Sequence, residues 1–148
     1  MAVNAVRLAA RCVELLGPVA GPVAVVAPRV PALADALAAR VTLAAGTAAP
    51  AAAVVAFLRM PARPAERQWT LRDLQARLDA HAPLLLVDHN QPRRWGRRLL
   101  ATLALAGARL GPARGRYPAA RELAALGFRI DRLALDAGER IQLVLGRR

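Results

Sequence analysis

The sequence contains no lysine: all 22 basic side chains are arginine, set against 10 acids, for a net charge of +12. Together with the excess of alanine, this points to the coding bias of a GC-rich genome rather than to selection for guanidinium chemistry. The single cysteine, Cys12, excludes an internal disulfide and any cysteine-based zinc cluster. It is expected as a buried, inert thiol in a reducing cytoplasm. Two lone histidines, His81 and His89, lack the spacing of metal ligands, so no metal site is expected. Aromatic residues make up 3% of the chain, so the core must be built from alanine, leucine and valine. That scarcity also weakens any reading as a single-strand nucleic-acid platform, which needs aromatic faces for stacking. The longest apolar stretches, 48–58 and 99–108, fall short of the ~20 residues that span a bilayer. Arg7 and Arg11 interrupt the opening segment, and neither a transmembrane helix nor a secretory signal is expected.

What is present fits one domain over residues 1–148. Positive charge concentrates in the later part: up to Ala62 there are five arginines against two acids, and from Arg63 onward seventeen against eight. Such a field attracts phosphates, nucleic acid, anionic lipid or acidic proteins without naming one of them. Apolar spacing predicts a helix over 2–16, with Val3, Val6, Ala10, Val13 and Leu16 on its buried side, ended by Gly17-Pro18. Short apolar runs at 23–27 and 84–88 read as buried strands, 53–58 as a strand covered on both faces, and 41–44 as a further short strand. Between them a helix is expected from Pro31 to Arg40, and another from a capping box at Thr70 and Asp73 to about His81. Residues 60–69, with two prolines, read as an exposed loop.

After Pro92 a long helix is expected to about Leu110, burying Leu99, Leu103, Ala106 and Leu110, followed by a basic loop over 111–117. A helix over 118–126 should then end on Gly127 in a left-handed cap. Two last strands, 128–135 and 140–145, should form a hairpin around Asp136-Ala137-Gly138-Glu139. The alternation predicts a three-layer α/β fold: a mainly parallel sheet of about six strands, helices on both faces and a C-terminal antiparallel hairpin. No internal repeat or heptad array is present.

In open α/β sheets ligands bind beyond the carboxyl ends of strands. Asp88, His89, Asn90, Arg93 and Arg94 stand at such an end and have the groups to bind an anion or orient a polar substrate. The competing reading is structural: Asp88 or Asn90 caps backbone donors, Pro92 starts a helix, and Arg93, Arg94, Arg97 and Arg98 form a solvated face. Trp69 and Trp95, each near arginines, are suited to stacking on a ring, though covering the edge of a thin core is the favoured role. Arg109, Arg114, Arg116 and Tyr117 could track a nucleic-acid backbone or face a partner.

The run LLLVDHNQPRRW from Leu84 to Trp95 resembles the junction between the fifth strand and the following helix in class I S-adenosylmethionine-dependent methyltransferases. Arg121-Glu122-Leu123, Leu126-Gly127-Phe128 and the hairpin at Gly138-Glu139-Arg140 are similar to that family's final helix and closing strands. The resemblance covers roughly 53–148 and implies a Rossmann-like methyltransferase scaffold. It would place S-adenosylmethionine near Ala27, Pro28, Gly46, Thr47, Leu58 and Arg59, with His89 as a base toward an unidentified acceptor. The first half departs from the family pattern. Pro28-Arg29-Val30-Pro31 stands where a glycine-rich loop is usual, and Ala44-Ala45-Gly46 where an acidic residue usually holds the ribose. Three functions follow as expectations: a methyltransferase-like enzyme, a non-catalytic binding or regulatory partner on the same scaffold, and an arginine-rich nucleic-acid-binding module.

Overall fold

The computed structural model describes residues 4–45, 49–58, 64–107 and 118–148. Five helices and five strands follow one another along them: α1 (Ala5–Leu16), β1 (Val23–Val26), α2 (Pro31–Ala38), β2 (Ala52–Ala56), α3 (Pro64–Arg77), β3 (Leu84–His89), α4 (Trp95–Gly107), α5 (Pro118–Ala125), β4 (Arg129–Asp136) and β5 (Ile141–Arg147). The strands form one sheet in the order β1-β2-β3-β5-β4. β1, β2 and β3 run parallel, while β5 inserts antiparallel between β3 and β4. This is the expected mixed α/β sheet closed by an antiparallel hairpin. The strand expected over 41–44 is reduced to an isolated parallel bridge between Leu43 and Val23. The run is flanked by Ala38, Ala39, Ala44 and Ala45, which supply too little branched apolar surface to extend the pairing.

Alternation along the strands divides the core into two layers. On one face Val54, Leu85, Val87, Leu143 and Leu145 pack with Leu8, Cys12 and Leu16 of α1 and Leu33 and Leu37 of α2. On the other, Val55, Leu84, Leu86 and Val144 pack with Leu71, Leu74 and Leu78 of the α3 region and with Ala119 and Leu123 of α5. The central strands are buried on both faces, so they read as unbroken apolar runs. Cys12 is fully buried, and burial pushes its thiol up to about 12, consistent with an inert core side chain.

Three helix readings are corrected. In α1 the buried stripe is Leu8, Ala9, Cys12 and Leu16, and Val6 is exposed. Two arcs of this alanine-rich helix are apolar, and the one with the larger side chains faces the sheet. α3 begins at Pro64, inside the expected loop, so Thr70 lies within the helix and donates its hydroxyl to the Glu66 carbonyl at 2.9 Å instead of capping an end. In α4, Leu99 and Leu103 face solvent and Ala101 is buried, while the Ala106 side chain lies outside the described ones. The Leu110 and 111–117 expectations, with Arg109, Arg114, Arg116 and Tyr117, lie outside the described residues.

The chain reversals follow the sequence closely. Gly127 ends α5 at φ +83°, and Phe128 N–H returns to the Leu123 carbonyl at 3.0 Å. The hairpin turn places Ala137, Gly138 and Glu139 in succession at φ +51°, +67° and +69°. Among the described glycines the tightest surroundings are at Gly21, which has φ +150° and where a Cβ would stand 2.8 Å from the Ala51 Cβ. Gly21→Ala is therefore expected to destabilise the fold by about 1–3 kcal/mol through crowding and strain, read from the urea unfolding midpoint. A midpoint within error of the parent would show that the β1–β2 entry is not packed this tightly.

Candidate functional site at the carboxyl edge of the sheet

The carboxyl ends of β2 and β3 lie side by side, and consecutive residues there turn to opposite faces of the sheet. Asp88 shares the face of Leu84 and Leu86, and His89 that of Leu85 and Val87. The two therefore serve separate environments rather than forming one acid–base pair.

On the Asp88 face stands a buried cluster that the sequence did not single out. Arg67 of α3 donates Nη2 to Asp88 Oδ2 at 2.6 Å and to Glu122 Oε2 at 2.6 Å. Its Nε reaches Glu122 Oε1 at 2.7 Å, and its Nη1 the Leu58 carbonyl at 3.2 Å. Arg67, Asp88 and Glu122 side chains are 9%, 2% and 20% exposed. One planar fork thus ties α3, the ends of β2 and β3, and α5 together, a geometry that a lysine point charge does not reproduce. Burial alone would lower the Arg67 pKa, but hydrogen bonding to Glu122 and the charges of both carboxylates hold it above its ordinary value. Asp88 is held above the usual carboxylate range by burial, against the pull of Arg67 and of the His89 N–H, which donates to Oδ1 at 2.7 Å. Both Asp88 oxygens are engaged inside the protein.

On the other face the His89 imidazole packs against the Phe57 ring, with centroids 4.8 Å apart. Phe57 is buried and adopts φ +51°, a left-handed conformation unusual for an aromatic residue. Its N–H donates to the Val87 carbonyl at 2.9 Å, which fixes the backbone there. The His89 carbonyl accepts from Gln142 Nε2 at 3.0 Å, while Gln142 Oε1 is buried with no hydrogen-bond partner among the described residues. Burial holds the His89 pKa below its ordinary value, against the opposing charge of Asp88. The folded protein thus binds a proton at His89 less readily than the unfolded chain does. Stability should be full above the unfolded value of about 6.5 and fall as pH drops through it. His89→Gln should flatten this part of the urea-midpoint profile between pH 7.5 and 5.5; an unchanged slope would assign the dependence to other groups.

Asn90 donates its side-chain amide to the Glu139 carbonyl and its backbone N–H to the Arg140 carbonyl, both at 2.8 Å. Glu139 Oε2 in turn accepts from the Arg93 N–H at 2.7 Å, so the hairpin turn is fastened to the β3–α4 junction. The Arg93 and Arg94 side chains are exposed. Trp69 and Trp95, expected to cover the core edge, are 69% and 78% exposed.

The residues assigned to a methyl donor lie farther along this edge. Ala27 and Pro28 follow β1, and Leu58 is buried after β2, while Gly46, Thr47 and Arg59 lie outside the described residues. Ala27 accepts the Val30 N–H at 3.2 Å in a tight turn, and Pro31 opens α2 with no side-chain cap. Leu33 and Ala34 N–H both return to the Val30 carbonyl, so the first turn of α2 offers few free donors to a carboxylate. The only acid between Val23 and Met60 is Asp35, exposed within α2. A glycine-rich set of backbone donors and a carboxylate for ribose hydroxyls are thus not assembled by the described residues. Two clefts of about 420 and 440 Å³ lie at the opposite, amino end of the strands, one lined by Val13, Gly21 and Arg40, the other by Leu15, Asp131 and Arg147. Among the described residues there is no group of histidine, cysteine and acidic side chains able to hold a metal ion, and no helix long and apolar enough to cross a membrane.

No protein-family model matches the chain, and no curated protein matches it in sequence. Solved structures do match in fold. The glycopeptide N-methyltransferase MtfA, complexed with sinefungin, superposes with a TM-score of 0.62 at 14% identity over 97% of this chain and 94% of that one. Human N-acetylserotonin methyltransferase, in complex with S-adenosylmethionine, gives 0.64 at 13% identity over 98% of this chain and 52% of that one. The pyocyanin biosynthetic protein PhzM gives 0.61 at 14% identity over 85% and 42%. The chain thus has a methyltransferase fold and spans about half or less of the length of the last two.

Proposed function

We propose that this chain is a non-catalytic methyltransferase-fold module, a binding or regulatory partner whose donor edge no longer accepts S-adenosylmethionine. The observation that carries this reading is the β1–α2 junction, where Pro28 and Pro31 flank a tight turn and α2 starts with few free donors and no acid at the strand end. The buried cluster of Arg67, Asp88 and Glu122 supports it, since its polar groups bind one another and hold elements together. A cytoplasmic setting belongs to the same reading. Calorimetric titration with S-adenosylmethionine and S-adenosylhomocysteine is expected to give no saturable heat up to millimolar ligand. Saturable micromolar binding would overturn it.

A second reading is favoured by the fold neighbours, two of which were solved with S-adenosylmethionine or sinefungin. In it the protein is an S-adenosylmethionine-dependent methyltransferase, the donor sits near Ala27, Pro28, Gly46, Thr47, Leu58 and Arg59, and His89, uncharged at neutral pH, accepts the acceptor's proton. Saturable donor binding in the same titration would select it. The third reading, an arginine-rich nucleic-acid-binding module, rests on the net charge of +12 and predicts affinity that falls steeply with salt.

A further inference from the structure

We propose that α4 docks the protein onto an anionic lipid surface. The helix turns an apolar arc to solvent: Trp95, Leu99, Leu100 and Leu103 are 78%, 48%, 66% and 59% exposed, whereas Ala101 on the far side is buried. At 100° per residue these four side chains occupy one continuous sector, with Arg97 and Arg98 on its two borders. Arg97 lies over the hairpin turn, its Nη1 3.9 Å from where a Cβ at Gly138 would stand, whereas Arg93, Arg94 and Arg98 are exposed and their guanidinium groups can reach headgroup phosphates. Between Asp88 and Gly107 the sequence carries four arginines, Arg93, Arg94, Arg97 and Arg98, and no acid.

This composition selects the occupant. A second copy of the chain would bring the same arginines against themselves across an apolar seam, where α4 itself carries no acid to neutralise them. The arc is also a convex ridge on a single helix, shaped to sink into a fluid interface. A basic helix with tryptophan and leucine on one face lies in the plane of the headgroups, where apolar burial and attraction to anionic lipid act together. The inference does not depend on whether a methyl donor binds.

The test uses the full chain and large unilamellar vesicles of phosphatidylcholine, with or without 30% phosphatidylserine, in a flotation assay. The expected result is cofloating with the anionic vesicles alone, weakened by raising NaCl from 50 to 500 mM. In a Trp69→Phe background the emission of Trp95 should shift to the blue and become protected from iodide. Leu99→Asp/Leu100→Asp should lower vesicle partitioning at least tenfold, and since both positions are exposed its circular dichroism and melting temperature should match the parent. Three outcomes would overturn the proposal. One is absence of vesicle binding. Another is binding that the double variant leaves intact with Trp95 still open to iodide. The last is a dimer in sedimentation equilibrium that the double variant dissolves, which would make a second copy the occupant.

Discussion

Arg67→Met is expected to cost about 3–5 kcal/mol of folding stability, the range for removing one partner of a buried ion pair and stranding the charges it neutralised. The methionine keeps most of the apolar stem, so the loss reports on the fork and not on packing volume. Asp88 and Glu122 would face each other without a cation, and the Leu58 carbonyl would lose its donor. Adding Asp88→Asn should recover part of the loss by removing the buried charge, giving a coupling energy of the sign expected for contacting residues. Arg67→Lys should fall between the two, because one ammonium cannot satisfy both carboxylates and the carbonyl at once. These values come from urea unfolding at neutral pH. A cost below about 1 kcal/mol for Arg67→Met would mean that the cluster is solvated and does not tie the helices to the sheet.

A second large effect separates the true core from the apolar surface. Leu85→Ala, in a strand buried on both faces, should cost about 2–5 kcal/mol through lost burial and a cavity. Leu100→Ala, on the outward arc of α4, should change stability by no more than about 0.5 kcal/mol. The two substitutions are chemically identical, so the contrast rests on placement alone. A comparable cost at both positions would put α4 against the core and leave no outward apolar arc to meet a lipid surface.

How far the sequence alone carries depends on what kind of force fixes each element. The strand at Leu84–His89, the cap at Gly127 and the closing hairpin were legible because apolar runs and turn residues act locally. The start of α3 was not: its first turn is anchored by Arg67 bonding to Asp88 and Glu122, partners 21 and 55 residues away, and no apolar periodicity marks it. The outward face of α4 was misread for the opposite reason, since leucine at helical spacing signals an amphipathic helix but not which way it turns. At the candidate site, Asp88 and Asn90 were recognised by their position after a strand. Their internal partners Arg67 and Glu139 become neighbours only when the sheet forms. The altered β1–α2 junction was visible directly, because proline in place of glycine changes the backbone wherever it occurs.

Amide hydrogen exchange in the presence and absence of 5 mM S-adenosylhomocysteine reports where any donor sits as well as whether it binds. Unchanged exchange is expected at the carboxyl ends of β1 and β2 and through the first turn of α2. Slowed exchange confined to those segments would show an intact donor site and contradict the non-catalytic reading.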